Sequence, residues 1–213
     1  MKKVVILIGN YGSGKTEIAL NIAVKSAAEG KRTQVIDLVS PTFVGAGVTQ
    51  TNMPAAVGSA FAKDWDLVIF DVGGDPAGAL SLARYHMDFA QLQPEQLEVW
   101  DIINTRRPMS ETAEKILQLK EDMEGFARQT VTGFVHNSNL QAWASAEDLR
   151  AGYPVVKEAS ERSGIPVIYT TGRQEFLEEF LKDDGLDPKV IGTPLPLETY
   201  MHRSWDSFAR GGI

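Results

Sequence analysis

The sequence predicts an α/β fold, a doubly wound and mainly parallel sheet with helices on both faces. Three observations carry that expectation. Short β-branched runs alternate with longer helical stretches along the chain, several of the runs are continuously apolar, and no internal repeat or low-complexity segment breaks the alternation. Continuous apolar runs are what parallel strands buried on both faces require. Right-handed crossovers between them gather the strand carboxyl ends along one edge, where sites form in such sheets.

Strands are expected at Val4–Ile8, Thr33–Asp37, Leu67–Asp71, Leu97–Asn104, Val131–His136 and Val167–Thr170. Between them the helical stretches are Lys15–Ala28, Ala77–Gln91, Ser110–Arg128, Glu147–Ser163 and Gln174–Lys182. Gly30 follows the first helix and Pro76 opens the second, as helix ends and starts favour. Residues 39–60 mix Gly, Pro, Thr and Ala without clear period, so they read as a loop leading into a short helix near Pro54–Ala62. After Lys189 the chain reads as an extended segment and then a short helix with an apolar stripe of Met201, Trp205 and Phe208. Acids lie among the bases of that helix, so its stripe is expected to pack on the domain's own core rather than on a membrane.

A chain of 213 residues suits a single domain over 1–213. Lys and Arg total 21 against 28 Asp and Glu, a net charge of −7, and the bases are scattered; a nucleic-acid partner therefore has no electrostatic footing. The absence of cysteine removes disulfides, thiolate nucleophiles and iron–sulfur ligation. The N-terminus runs straight into a strand without a signal-peptide core, and no apolar run reaches the ~18 residues of a membrane span. The expectation is a cytoplasmic protein.

The chemistry is concentrated at GNYGSGKT, residues 9–16, which follows the first strand and opens the first helix. Gly9, Asn10, Tyr11, Gly12, Ser13, Gly14, Lys15 and Thr16 satisfy the Walker A pattern in full. Glycines allow the backbone to wrap phosphate oxygens so that several N–H groups point inward, and the helix N-terminus adds its dipole. Lys15 is expected on the β- and γ-phosphates, and Thr16 on Mg²⁺. Asp71 ends the apolar run DLVIF at the Walker B position, where it would hold the metal through water. The glycine of the following Asp71-Val72-Gly73-Gly74 is placed to offer the Gly74 N–H to a γ-phosphate. Asp75 reads as the cap of the helix beginning at Pro76. Asp37 ends the second strand and is either a turn carboxylate or a second, water-mediated partner of the metal and its attacking water. These features predict a P-loop NTPase three-layer sandwich.

The strings VVILIGNYGSGKTEIALNIA, VIDL, LVIFDVGGDPAGALSLARY, INTRRP and VTGFVHNSNL together resemble the MinD/ParA-like, SIMIBI-class branch of P-loop ATPases, and in particular a poorly characterised set of bacterial stand-alone ATP-binding proteins. The resemblance implies Mg²⁺-ATP at the loop, contacts from Glu17 alongside it, and a nucleotide-dependent face-to-face homodimer. It also implies that Asn137 reads the base, its amide both donating and accepting; a loop asparagine bracing its own turn is the plainer alternative. Three departures qualify it. Many relatives carry an early P-loop lysine that reaches across the dimer, and Asn10 stands in its place; the second strand ends with one acid, Asp37, where the family usually has two; and the loop after it is short, as if residues near position 39 were missing. Arg106 and Arg107 follow the fourth strand, either solvated or aimed at the γ-phosphate, the base or a partner.

The resulting reading is a Mg-ATP-binding switch with slow ATP hydrolysis, for which Lys15, Asp37 and Asp71 are the catalytic candidates, and an unidentified protein partner. A small-molecule kinase or other phosphotransferase is the alternative, and a GTPase the second. The chain offers His136-Asn137-Ser138-Asn139 where a guanine reader would show Asn-Lys-x-Asp.

Overall fold

The computed structural model describes residues 3–38, 53–139 and 144–201. The elements run β1 (Lys3–Ile8), α1 (Lys15–Ala28), β2 (Thr33–Leu38), α2 (Met53–Ala62), β3 (Leu67–Val72), α3 (Pro76–Ala83), α4 (His86–Phe89), β4 (Leu97–Ile103), α5 (Ala113–Ala127), β5 (Gly133–His136), α6 (Ala146–Ser163), β6 (Val167–Gly172), α7 (Gln174–Phe180), α8 (Pro188–Ile191) and β7 (Thr193–Pro196). The seven strands form one sheet in the order β2-β3-β1-β4-β5-β6-β7, with every pair parallel.

β1 lies between β3 and β4, and Val4 to Ile8 are almost wholly buried. One sheet face carries Val4, Ile6, Ile8, Val68, Phe70 and Phe134 against Val57 of α2, Leu82 of α3, Ile116 and Met123 of α5, and Val156 of α6. The other carries Val5, Leu7, Ile69 and Ile102 against Ile18 and Ala19 of α1. The chain winds from β1 outward to β2 and back to β3, then crosses to β4 on the far side. That reversal puts the topological switch point beside the carboxyl end of β1, directly at Gly9.

The structure refines two expectations. The single helix expected over Ala77–Gln91 is divided at Arg84 and Tyr85 into α3 and α4. The turn swings Phe89 inward, where its ring meets Phe61 and Phe70 edge-on, each at 5.3 Å between centroids. The extended segment after Lys189 contains a seventh strand. Its Thr-Pro-Leu-Pro composition argues against a strand, but β7 sits at the sheet edge, where prolines need donate no ladder bond. Beyond β7 the backbone crosses α1: Glu198 N–H donates to Asn21 Oδ1 at 2.7 Å and Asn21 Nδ2 donates back to the Glu198 carbonyl at 2.9 Å. The expected loop at 39–52, and Trp205 and Phe208 of the tail stripe, lie outside the described residues.

Candidate functional site

The loop between β1 and α1 closes on itself through a bond from Ser13 N–H to the Asn10 carbonyl and leaves through Gly14 at φ 96°, a left-handed conformation that only glycine adopts without strain. Any Cβ at Gly14 would fall 2.2 Å from Asn137 Nδ2. Lys15 Nζ donates to the carbonyls of Gly9 and Asn10, each at 2.8 Å. Burial holds the ammonium well below the ordinary lysine value, at about 8, although Asp71, Asp101 and Asp75 draw it back up.

Thr16 and Asp71, 55 residues apart in sequence, meet in a 2.6 Å bond from Thr16 Oγ1 to Asp71 Oδ2. Burial raises the Asp71 carboxyl above its ordinary value, while the Thr16 bond and Lys15 pull it down. Asp37 faces Asp71 across the β2–β3 ladder, is exposed, and adds like-charge repulsion that raises Asp71 further. A hydroxyl beside one buried carboxylate is an oxygen-only donor set that suits Mg²⁺, which takes few protein ligands and completes its shell with phosphate and water. Among the described residues no group of three His, Asp or Glu side chains is gathered to cage a metal.

Gly74 closes the cradle. It packs so tightly on the P-loop that a Cβ there would lie 2.6 Å from Tyr11 N. Asp75 caps α3, accepting from Gly78 N–H at 2.6 Å, and its other oxygen accepts from the Tyr11 hydroxyl at 3.0 Å. The half-exposed Tyr11 ring therefore ties the P-loop to the β3–α3 turn.

Asn137 lies just past β5, at the carboxyl edge, but its amide is engaged. Nδ2 donates to the Ser13 carbonyl at 2.7 Å and Oδ1 accepts from the Thr171 hydroxyl at 2.7 Å, with the side chain buried. In this geometry Asn137 braces the P-loop. Asn10 is likewise engaged within its own chain, where its Nδ2 donates to the Pro108 carbonyl and joins the P-loop to the β4–α5 loop. Glu17 turns away from the phosphate cradle, and its carboxylate accepts from the N–H groups of Tyr200 and Met201 in the segment crossing α1. Of the two arginines, Arg107 donates through Nε to the Gly12 carbonyl at 3.1 Å, and Arg106 through Nε to the buried Asp148 at 2.7 Å.

Sequence reasoning missed Asp101 and Asn104. Asp101 stands beside Ile8 in the β1–β4 register, beneath Gly9, and burial pushes its carboxyl up to about 7. A lone acid inside the apolar run VWDII was the available signal. Asn104 is fully buried and uses its side chain to join three loops, donating to Asn139 O at 3.1 Å and Gly12 O at 3.4 Å and accepting from Arg106 N–H at 3.0 Å. Nothing in its sequence context marked it.

No family model matches the chain. No curated protein matches it either. Its fold is similar to that of several solved structures. These include the cell division protein FtsY of Thermotoga maritima, at 17% identity over 83% of this chain and 63% of that one, with a TM-score of 0.57. The chloroplast FtsY of Physcomitrella patens matches at 17% identity over 80% and 58%, with a TM-score of 0.54. The signal recognition particle receptor FtsY of Elizabethkingia anophelis matches at 17% identity over 80% and 58%, with a TM-score of 0.52. The chain thus spans about three-fifths of the length of these proteins. The shared architecture is the α/β P-loop nucleotide-binding fold.

Proposed function

We propose that this chain binds a magnesium nucleoside triphosphate at Gly9–Thr16 and acts as a nucleotide-dependent switch, with ATP as the nucleotide and slow hydrolysis to ADP and phosphate as the reset. The observation that carries the reading is the 2.6 Å contact of Thr16 with Asp71, which unites the Walker A hydroxyl and the Walker B carboxylate beside a glycine cradle. Magnesium, when bound, neutralises charge on the β- and γ-phosphates. Thr16 and, through water, Asp71 would hold it, with Asp37 at the same edge. Lys15 exchanges its two loop carbonyls for phosphate oxygens, and Gly74 N–H marks the γ-phosphate. The Tyr11–Asp75 bond lies where that contact would form, so the β3–α3 turn is the element that senses the triphosphate.

The ATP assignment and membership of the MinD/ParA branch rest on the motif strings. Asn10, bonded within its own chain, leaves the cross-dimer lysine without an equivalent; a homodimer and a separate protein partner are both part of the proposal. No helix among the described residues is long and apolar enough to cross a membrane; a cytoplasmic setting is part of the proposal. GTP is the second reading. What favours it is the similarity of the fold to FtsY proteins.

Thermal unfolding with Mg²⁺ and either ATP or GTP tests both readings. Protection by ATP that Lys15→Ala abolishes is the expected result. Greater protection by GTP moves the assignment to guanine, and protection that survives Lys15→Ala refutes the phosphate site itself. Size exclusion with a non-hydrolysable ATP analogue reads the dimer, which an unchanged monomeric elution would eliminate.

A further inference from the structure

Beside the P-loop, on the far side of Arg107, lies a groove of about 510 Å³ lined by Thr105, Arg106, Arg107, Pro108 and Glu111 of the β4–α5 loop and by Ala151 and Val155 of α6. Its size falls in the range of small-ligand sites. We infer that it is a second binding site, for the carboxylate or phosphate group of a small anionic molecule.

Three features support this. First, Arg106 and Arg107 both line the groove, and its one lining carboxylate, Glu111, pairs with Lys115 at 3.0 Å. Second, both arginines are anchored through Nε to rigid parts of the fold. Arg106 is held by Asp148, a buried residue whose other oxygen accepts from Ser145 N–H at 3.0 Å to cap α6. Arg107 is held by the Gly12 carbonyl. Anchoring through Nε restrains the planar fork, the geometry that recognises carboxylate and phosphate in bidentate fashion. Third, the loop bearing them is built rather than loose. Asn104 accepts from Arg106 N–H, Thr105 N–H donates to Ser138 Oγ at 3.1 Å, and Asn10 reaches Pro108. The floor of Ala151 and Val155 leaves room for a short apolar body behind the anionic group.

The site is tested by calorimetric titration of inorganic phosphate and, separately, citrate into the full chain saturated with Mg²⁺ and a non-hydrolysable nucleoside triphosphate, so that the P-loop is occupied. The titration is repeated on Lys15→Ala without nucleotide, so a failure of the P-loop reading does not decide this one. Saturable binding of either anion in both settings is expected, and which one binds more tightly distinguishes a phosphate-bearing from a carboxylate-bearing ligand. Arg106→Gln should abolish it. Because that change strands the buried Asp148, Ala151→Glu, on an exposed helix position, supplies a carboxylate from within and should weaken binding at least tenfold. Glu111→Gln should tighten it by about threefold, the scale of one exposed charge. No saturable binding of either anion, binding indifferent to Ala151→Glu, or capture of an acidic peptide where both anions fail would overturn the inference.

Discussion

Raising the pH should weaken nucleotide binding well below the ordinary titration range of lysine. Lys15 is buried and its ammonium titrates at about 8, mainly because burial penalises the charge. Phosphate oxygens replacing the Gly9 and Asn10 carbonyls supply a strongly anionic partner that favours the protonated lysine, so binding above pH 8 must take up a proton. If only the ammonium form binds, affinity follows its protonated fraction in the free protein, about one half at pH 8 and about 3% at pH 9.5, a fall of about 15-fold. At pH 8.5 each binding event should take up about 0.8 proton. Asp101, at about 7, is largely ionised throughout this window, and Tyr11 is held above its ordinary value by its bond to Asp75, so neither supplies the transition. The assay is calorimetry of nucleotide binding in EDTA from pH 8 to 9.5, in two buffers of different ionisation enthalpy. Lys15→Arg should bind more weakly but lose most of the pH dependence. A flat affinity for the unaltered chain, or no proton uptake, would refute the placement of Lys15 on the phosphates.

The same site predicts a trade-off at Asp71. Its folded carboxyl is raised, so its charge costs stability near neutral pH and that cost fades as pH falls through the raised value; Asp71→Asn should raise the melting temperature while removing magnesium-dependent protection by nucleotide. Gly152 of α6 faces the buried Ser138–His136 pair, and a Cβ there would lie 2.3 Å from Ser138 Oγ; Gly152→Ala should cost about 1–3 kcal/mol in denaturant unfolding. Glu17→Ala removes the acceptor for the Tyr200 and Met201 N–H groups, and hydrogen exchange at those amides should accelerate by about tenfold with little change in global melting.

Much of the molecule is legible in its sequence because the relevant physics is local. The unbroken apolar runs of β1 and β3 state that both faces of those strands are covered, and the GNYGSGKT turn states, through its own glycines and helix start, that phosphate can be cradled there. Asp75 as a cap is equally local, since the acceptor and the Gly78 N–H are three residues apart. The Thr-Pro-Leu-Pro of β7 was harder to read because its strand character comes from β6, and the break at Arg84–Tyr85 because it serves contacts between Phe89 and rings on other elements.

By itself, then, the sequence determined the parallel α/β sheet and the glycine-rich turn and apolar strand whose Thr16 and Asp71 the fold brings together. Only the tertiary structure decided what the surrounding polar side chains do. Asn10 bonds to Pro108, Asn137 to Ser13 and Thr171, and Glu17 to a backbone more than 180 residues away. Asparagine and glutamate can donate or accept in many settings, so their roles follow from which partner the fold brings within about 3 Å, a distance that residue type and spacing do not encode.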